Sequence, residues 1–504
     1  MEALEATWAF LRLLLALALL AFGLYCCYIQ YIHVKYDYIP GAPRASFFYG
    51  HLPIIWRMFK QKEFIHDVFL RWAEEYGPIV RLNVFHRITL LVLSPEGVKE
   101  FLMLPQYPKD RLVYSRLYNM FGVRFLGNGL ITDRDYNHWH KQRKIMDPAF
   151  TRSYLIDLMG IFNDKAEELM QVLEEKADGE TEVDMMNLLR QLTLDIIAKV
   201  AFGLELNSLN NDQVPFAHAM SLIGVGMAAG RKPLFKYMPG NRKVVKEIQD
   251  HLRLLRRVGK ESIEQRRKAI QNGEETPVDI LTQILKSAAQ EEDCDEESML
   301  DNFVSFFFAG HDTTASLLSF SIMELGRQPE ILTKLQAEVD EVVGVKRDVS
   351  YEALGNLQYL SQVLKEVLRL YPPVPGTVRW TGKEAVIEGV KIPAKTSLVF
   401  STFIMGRLEK FFKDPLIFNP DRFGKDQSKP YYSYFPFSLG PRSCIGQIFA
   451  QMEAKVVMTK FLQRFEFQLV PPQSFKILDT GTFRPLDGLV CRLTRRNSLT
   501  FKED

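Results

Sequence analysis

The distribution of apolar residues predicts an N-terminal membrane helix ahead of a large globular region. From Leu13 to Ile29 the chain carries no charged residue, and Trp8 lies in the apolar stretch just before it. About 20 predominantly apolar residues span a bilayer as a helix. A cleaved signal peptide is the competing interpretation, but it would begin with basic residues, whereas this chain has Glu2 and Glu5 there. We therefore predict a single uncleaved anchor over residues 1–36.

A short proline-containing segment follows the anchor. Pro40 and Pro43 remove backbone donors and restrict their neighbours, so residues 37–46 are predicted to form a stiff hinge. Lys35 and Arg44 are the first basic residues after the span, while acids precede it. The positive-inside rule therefore predicts that the bulk of the chain lies on the cytosolic side.

Beyond the hinge, the hydrophobic pattern is mostly helical. Apolar residues recur at helical spacing over Phe64–Tyr76, and helix is predicted to dominate from about Pro95 to Leu370. Shorter apolar runs predict strands over Ile79–Leu82, Ile88–Leu93, Phe465–Val470 and Leu489–Leu493. The predicted fold class is mainly α with a smaller β portion. We expect one large domain over residues 47–495 and a flexible tail over 496–504.

Composition narrows the functional classes. The formal net charge of the 504 residues is +2, so there is no general electrostatic case for a nucleic-acid partner. Aromatic residues make up 12% of the chain, which suits a large apolar interior that could hold a lipophilic ligand. The cysteines are odd in number and scattered, which indicates reduced thiols rather than a disulfide framework: Cys26, Cys27, Cys294, Cys444 and Cys491.

The segment Phe437–Gly446 contains the most specific chemical signal. Its sequence is Phe-Ser-Leu-Gly-Pro-Arg-Ser-Cys-Ile-Gly, and a helix is predicted to begin directly after it. Gly440 and Gly446 tolerate unusual backbone angles and permit close approach to a flat ligand. Cys444 precedes the helix N-terminus, where the dipole is expected to lower the thiol pKa. Arg442 is placed to meet an acidic group of such a ligand. The alternative is a buried cysteine that acts as a small hydrophobe.

A long apolar helix is predicted over Ser298–Gln328, ended by Pro329, and it should cross the domain interior. Near its middle lies the sequence Ala-Gly-His-Asp-Thr-Thr over residues 309–314. Gly310 costs a helix about 1 kcal/mol relative to Ala, and the buried acid Asp312 costs more, so a function should offset both. The alternative is a kinked helix with a satisfied polar cluster.

Two weaker motifs flank this helix in sequence. Trp139 and Arg143 are four positions apart, so they share a helix face and could grip a carboxylate; an ordinary packed Trp beside a surface Arg is the alternative. Glu366 and Arg369 form a Glu-x-x-Arg pair before a proline stop. Most such pairs are exposed and worth less than about 1 kcal/mol.

In their order along the chain, the four motifs resemble those of the cytochrome P-450 family over about Pro40–Arg495. The resemblance implies the P-450 fold and a haem b whose iron is bound by the Cys444 thiolate. It also implies the remaining cofactor-binding residues, which are Arg442, Trp139, Arg143, Arg379, Gly440 and Gly446.

The resemblance further assigns roles along the reaction path. Asp312 and Thr313 would be the acid and alcohol that guide protons to dioxygen. Arg422 would join Glu366 and Arg369 in a buried network that supports the thiolate side. The loops over Tyr118–Leu130 and Asp479–Pro485 usually build the substrate pocket, and the predicted substrate contacts are Phe121, Ala309 and Thr482.

The implied activity is a monooxygenase of the endoplasmic reticulum membrane that receives electrons from NADPH through a flavoprotein, NADPH-cytochrome reductase. Further segments are similar to a member of the family that hydroxylates a sterol: Asn83–His86, Leu281–Leu285, Leu357–Gln362 and Tyr434–Gly440. The expected partners are therefore the reductase, membrane lipid and a sterol, most specifically cholesterol. The alternatives are a fatty-acid or xenobiotic hydroxylase, and a membrane-tethered haem- or sterol-binding protein without turnover.

Overall fold

A computed structural model describes residues 1–61, 63–211, 214–232, 235–290, 295–425, 427 and 431–496. Cys294 and residues 497–504 of the predicted tail lie outside the described residues. The helices are α1 (Glu2–Lys35), α2 (Leu52–Gln61), α3 (Ile65–Tyr76), α4 (Pro95–Met103), α5 (Arg111–Tyr118), α6 (Tyr136–Met146), α7 (Arg152–Ile156), α8 (Met159–Glu174), α9 (Met185–Phe202), α10 (Pro215–Ala229), α11 (Arg242–Gln271), α12 (Ile280–Ala288), α13 (Glu296–Arg327), α14 (Pro329–Val342), α15 (Tyr351–Asn356), α16 (Gln358–Leu370), α17 (Thr402–Met405) and α18 (Gln447–Arg464).

The strands are β1 (Ile79–Val84), β2 (Arg87–Val92), β3 (Asn119–Met120), β4 (Val123–Arg124), β5 (Asp178–Asp184), β6 (Gly376–Thr381), β7 (Ala385–Ile387), β8 (Val390–Ile392), β9 (Thr396–Ser401), β10 (Phe465–Leu469), β11 (Ile477–Asp479), β12 (Phe483–Pro485) and β13 (Val490–Arg495). One sheet has the order β1-β2-β9-β6, and a second has the order β10-β13-β5. The fold is therefore mainly helical with a smaller β portion, as predicted.

The four predicted strands are present, and they pair with one another. Strands β1 and β2 pair antiparallel, with Ile79 opposite Val92, and β2 then pairs parallel with β9. The two strands predicted near residues 465 and 490 are β10 and β13, which pair antiparallel with each other. Helix dominates from Pro95 to Leu370, as predicted, but the polar segment β5 within this range forms the third strand of that sheet. Its strand conformation depends on pairing with residues near the C-terminus, which local pattern does not report.

Helix α13 crosses the interior and organises the core. The Asp295 side chain caps it by accepting hydrogen bonds from the backbone N–H groups of Glu297 and Ser298, at 3.1 and 3.2 Å. At Gly310, an added Cβ would lie 2.7 Å from the Ile197 side chain of α9. Gly310 therefore allows α9 and α13 to pack closely, which explains its presence in the helix.

The loop after α5 is fastened to α13 by a buried charge. The Asp301 carboxylate is fully buried and pairs with Arg124 at 2.6 Å and Arg256 at 2.8 Å. It also accepts a hydrogen bond from the backbone N–H of Asn128 at 2.7 Å. This loop forms a wall of the cavity described below, so these contacts fix the shape of that wall.

Within the described residues, α1 is the helix that is long and apolar enough to cross a membrane. Its last turns do not stand apart from the domain. The Tyr25 hydroxyl and the His86 imidazole are hydrogen-bonded at 2.9 Å, and His33 Nε2 lies 2.9 Å from the carbonyl oxygen of Phe85. Ile29 between them is fully buried. The boundary at residue 36 stays a prediction, but part of the predicted anchor packs on the turn between β1 and β2.

Candidate active site

A cavity of about 870 Å³ lies between α13 and the loop that carries Cys444. Much of its lining is apolar or aromatic, including Phe306, Phe308 and Leu317. Ala309 and Thr313 of α13 line it together with Cys444. The structure therefore brings the cysteine loop and the middle of the long apolar helix to one enclosed space.

The backbone of the cysteine loop is held by its own hydrogen bonds. The N–H of Cys444 donates to the carbonyl oxygen of Phe437 at 2.9 Å, and the N–H of Ser443 donates to Gly440 at 3.0 Å. Gly440 has φ of 70°, and an added Cβ would clash with the carbonyl oxygen of Leu102. The expectation of unusual angles is wrong for Gly446, whose φ of −84° is ordinary because it caps α18.

The expected lowering of the Cys444 pKa is also wrong. Burial raises the pKa of this thiol above its usual value. The N–H of Gly446 and the charges of Arg143 and Lys109 act in the opposite direction, but desolvation outweighs them. The sulfur faces the cavity, so a ligand there can reach it.

Basic side chains surround the inner end of the cavity. Arg442 stacks on Trp139, with its guanidinium carbon 4.0 Å from a ring centroid, and its Nη1 donates to the carbonyl oxygen of Asp133 at 2.8 Å. Arg143 Nη1 donates to the carbonyl oxygen of Ser443 at 2.8 Å. The two predicted motifs thus meet, and their cations face the same cavity.

Lys109 is a further cation that the sequence motifs did not indicate. Its ammonium group donates to the carbonyl oxygen of Ile131 at 2.5 Å. Burial, followed by the charges of Arg379 and Arg442, holds the Lys109 pKa well below its ordinary value. Among the described residues that line the cavity, there is no Asp or Glu. The cluster therefore has the character of a site for an anionic ligand.

Arg379 lies just outside the cavity lining, whereas its neighbours Thr377 and Val378 are part of it. Its side chain is 2% exposed, and Nη1 donates to the Thr377 hydroxyl at 2.7 Å. Nη2 makes no hydrogen bond with the described residues. A buried guanidinium nitrogen without an acceptor is costly, which again favours an anionic partner.

Comparison with known proteins decides the family. The family model described as Cytochrome P450, written here as cytochrome P-450, matches residues 40–492. The chain belongs to the cytochrome P-450 family. Cytochrome P-450 4d2 of Drosophila melanogaster is 30% identical over 457 residues, which cover 86% of this chain and 89% of the relative. Cytochrome P-450 4c21 of Blattella germanica is 29% identical, covering 86% and 88%. Cytochrome P-450 3A6 of Oryctolagus cuniculus is 26% identical, covering 89% and 91%.

The residues of this P-450 fit the family's haem. Haem carries two carboxylates and an iron that requires a protein ligand from one side. The cavity offers a thiol at Cys444 and several cations, and its described lining residues include no acid. No group of three His, Cys, Asp or Glu side chains suited to a metal occurs in the part of the chain that the structure describes. A single protein ligand to a macrocycle-bound iron is consistent with that arrangement.

The acid and alcohol of α13 are adjacent in sequence but not hydrogen-bonded to each other. The Thr313 hydroxyl donates to the carbonyl oxygen of Ala309 at 2.6 Å. Asp312 instead pairs with Arg190 at 3.2 Å and accepts a hydrogen bond from the Thr482 hydroxyl. Asp312 points to the side of α13 that faces α9 and the turn between β11 and β12, whereas Thr313 lines the cavity, and their roles as acid and alcohol stay a prediction.

The charges around Asp312 determine its protonation state. Burial alone would raise the Asp312 pKa, but His311 when it is protonated, the charge of Arg190 and the Thr482 hydrogen bond outweigh burial, so the pKa is below its ordinary value. His311 is buried, and burial together with Arg190 lowers its pKa to about 4. Neutral His311 and ionised Asp312 are the expected forms at neutral pH.

The Glu-x-x-Arg motif forms the expected buried network. Arg369 donates to Glu366 through Nε at 2.8 Å and Nη2 at 2.7 Å. Arg422 Nε donates to the same carboxylate at 3.0 Å, and the backbone N–H of Asn419 does so at 2.9 Å. Both Glu366 and Arg369 are essentially unexposed. The carboxylate is thus fully hydrogen-bonded, which a buried charge requires.

The predicted substrate contacts also reach the cavity. Phe121, Ala309 and Thr482 all line it. Phe121 and Gly122 form the tight turn between β3 and β4, with φ of 53° and 97°, as a two-residue hairpin turn requires. The Phe121 carbonyl oxygen accepts a hydrogen bond from Gln249 at 2.8 Å, which holds the turn against α11.

Proposed function

We propose that this P-450 hydroxylates a sterol, most specifically the side chain of cholesterol, using O₂ and electrons from NADPH that a flavoprotein reductase delivers. The observation that carries the sterol assignment is the similarity to cholesterol 24-hydroxylase of Asn83–His86, Leu281–Leu285, Leu357–Gln362 and Tyr434–Gly440. The largely apolar cavity above Cys444 supports a large, poorly soluble substrate. The apolar helix α1 supports access from a membrane.

Haem b would be held by the residues at the inner end of the cavity. The Cys444 thiolate would bind the iron, and a coordinating metal ion deprotonates a thiol even where burial raises its pKa. Trp139, Arg143, Arg442 and Arg379 would bind the propionates, and we add Lys109 to that set. Gly440 and Gly446 would keep the loop close to the ring. When bound, thiolate-ligated haem supplies the activation of dioxygen for oxygen insertion.

The surrounding residues would control protons and hold the site rigid. Thr313 lines the cavity and would supply the alcohol there, and Asp312 would supply the acid. The network of Glu366, Arg369 and Arg422 would support the thiolate side. Phe121, Ala309 and Thr482 would contact the substrate. Removing a group that moves or holds a proton typically costs about a hundredfold or more in rate.

A fatty-acid hydroxylase is the second candidate, because cations lie at the outer part of the cavity. Arg231, Lys232 and Lys236 line it and are exposed. They could bind a fatty-acid carboxylate. Arg231 is already paired with Asp479 at 2.7 Å, which weakens this argument. Sterols carry no such charge, so the two substrates differ in their dependence on these cations.

We propose the endoplasmic reticulum membrane as the location, with the domain on the cytosolic side. The apolar span, the acids before it and the basic residues after it support that orientation. The reductase would dock near Cys444, where Lys141 and Lys144 of α6 could meet an acidic partner. We propose that the anchor covers residues 1–36, the hinge residues 37–46, the domain residues 47–495 and the tail residues 496–504.

Spectral titration of the purified haem protein with cholesterol and with palmitate, followed by product analysis, tests the substrate. The expected result is a spin-state shift with cholesterol and an NADPH-dependent product oxidised on its side chain. A shift and product with palmitate alone would transfer the assignment to the fatty-acid alternative. Binding without any oxygenated product in the presence of reductase would favour a non-catalytic haem- or sterol-binding protein.

A further inference from the structure

The Asp312 carboxylate interacts with Arg190 and Thr482, and not with Thr313. One oxygen lies 3.2 Å from Arg190 Nε, and the other accepts the hydrogen bond from Thr482. The Thr313 hydroxyl has its own acceptor in the carbonyl oxygen of Ala309. The acid and the neighbouring alcohol therefore take part in separate hydrogen bonds.

Thr482 stands between Asp312 and the cavity. Thr482 and Thr313 both line the cavity, whereas Asp312 and Arg190 are not among its described lining residues. Thr482 is only 5% exposed, so its hydroxyl cannot turn freely into bulk solvent. A threonine hydroxyl donates one hydrogen bond and accepts others. It can therefore donate to Asp312 and still accept from a water or ligand hydroxyl in the cavity.

The turn that carries Thr482 is held at several points. Its strands pair with Asp479 opposite Phe483, and the N–H of Thr480 donates to the carbonyl oxygen of Thr482 at 3.1 Å. Gly481 has φ of 109°, a backbone conformation that residues with a side chain rarely adopt. The N–H of Phe483 donates to the carbonyl oxygen of Pro373 at 2.8 Å. The position of the Thr482 hydroxyl is therefore set by the backbone around it.

The charged and titratable groups facing Asp312 come from three elements. Arg190 belongs to α9, His311 to α13 and Arg484 to β12, and the charge of Asp312 interacts with that of Arg484. Arg190 can hold the carboxylate ionised, but it lies on the side away from the cavity lining. Thr482 is the neutral partner on the cavity side, so its hydrogen bond determines which way the second oxygen points.

We propose that Thr482, rather than Thr313, is the positioning residue through which Asp312 acts on the cavity. The inference rests on the proposed monooxygenase role of Asp312 and deepens it. It also reinterprets Thr482, because a hydroxyl that orients the acid influences the handling of protons with every substrate. A residue that only contacts the substrate affects the substrates it touches.

Variants of the full-length, haem-loaded protein test this inference. Thr482→Val removes the hydroxyl with little change in volume, and Thr482→Ser restores it. Thr480→Val is the matched control, because Thr480 lies in the same turn and does not bond Asp312. Cholesterol and palmitate are the probes, each read by its spectral Kd and by the fraction of NADPH electrons recovered in product.

For Thr482→Val we expect the fraction of NADPH electrons recovered in product to fall about tenfold with either probe that turns over. This is the size of effect expected when one hydrogen bond to a charged group is lost. The spectral Kd should stay within about twofold of the wild-type value, because the lost hydroxyl orients Asp312 and does not contribute to substrate binding. Thr482→Ser should recover most of the coupling, and Thr480→Val should resemble the wild type. A raised Kd with unchanged coupling would overturn the proposal and show that Thr482 only contacts the substrate.

A double-mutant cycle identifies the partner of the acid. In an Asp312→Asn background, Thr482→Val should reduce coupling no further, whereas Thr313→Val should still reduce it. The opposite pattern would make Thr313 the partner and overturn the proposal. Thermal unfolding of the same set gives a readout without turnover: Thr482→Val and Asp312→Asn should be non-additive, and additivity would also overturn it. If the wild type forms no product, the proposed function fails, while this unfolding cycle still tests the contact.

Discussion

Arg231 and Asp479, 248 positions apart in the sequence, form a two-point ion pair at the outer part of the cavity, with N–O distances of 2.7 and 2.8 Å. Arg231 follows α10, and Asp479 ends β11. The N–H of Gly481 donates to the same carboxylate at 2.9 Å, and His66 lies 3.5 Å from it. The pair therefore joins the end of α10 to the turn between β11 and β12.

Breaking this ion pair should speed the entry and exit of ligands. Arg231→Gln and Asp479→Asn are each expected to raise the cholesterol dissociation rate about fivefold, since a partly exposed pair is worth about 1 kcal/mol. Stopped-flow spectral measurements give the rates. Lys236→Gln, another cation of the cavity rim, is the control. Equal rates in all variants, or a double variant much faster than either single one, would argue against a shared contact.

Replacing the cysteine should abolish thiolate ligation. Cys444→Ala removes the sulfur that faces the cavity, and no other described cysteine lines it. The reduced carbon-monoxide spectrum should lack the thiolate band. Cys491→Ala, a change at a buried cysteine of β13, should keep the band. A thiolate band in the Cys444→Ala protein would mean that the ligand lies elsewhere.

Glu453 of α18 should make stability fall as the pH rises. It is fully buried beside the Thr314 hydroxyl, and burial raises its pKa well above the ordinary value. The folded state therefore retains a proton that the unfolded state loses above about pH 4.3. Between that pH and the raised pKa, stability should decline by about 1.4 kcal/mol per pH unit from this residue alone.

Glu453→Gln should remove this decline, because the amide does not titrate. Its stability relative to the wild type should increase with pH above about 4.3 and show no such pH-dependent gain below it. Unfolding midpoints across pH measure the difference. Glu341→Gln, at an exposed position of α14, is the control with no expected trend. A difference independent of pH would show that packing, and not the proton, distinguishes the variant.

Two truncations separate the membrane span from its contacts with the domain. Deleting residues 2–21 should weaken membrane attachment and leave the unfolding midpoint unchanged, because Tyr25, Ile29 and His33 remain. Deleting residues 1–36 should also destabilise the domain by about 2 kcal/mol, the order of burying one aliphatic side chain such as Ile29. Haem absorbance during heating compares the two. Equal midpoints would show that the contacts of α1 contribute nothing to stability.

The sequence allowed some of these features to be predicted because they are local. The Cys444 loop, the Trp139 and Arg143 spacing and the long helix α13 each lie within one continuous segment. The partners of Asp312 and Arg231 were not predictable in this way, since Thr482 is 170 positions from Asp312. Lys109 had no motif around it, and β5 becomes a strand only by pairing with β13. What remained hidden depends on contacts between distant segments.

In the proposed membrane-anchored state, the packing of α1 on the domain would also govern how the protein meets its neighbours in the bilayer. The helix has 34 residues, so it is about 51 Å long, whereas the hydrocarbon core is about 30 Å thick. Tyr25 and His33 are hydrogen-bonded to the turn between β1 and β2, and these contacts would restrict rotation of the domain relative to the helix. Lateral diffusion would therefore present a nearly constant face to any partner tethered in the same leaflet. A productive encounter then requires a search in two dimensions and rotation about one axis, rather than free tumbling.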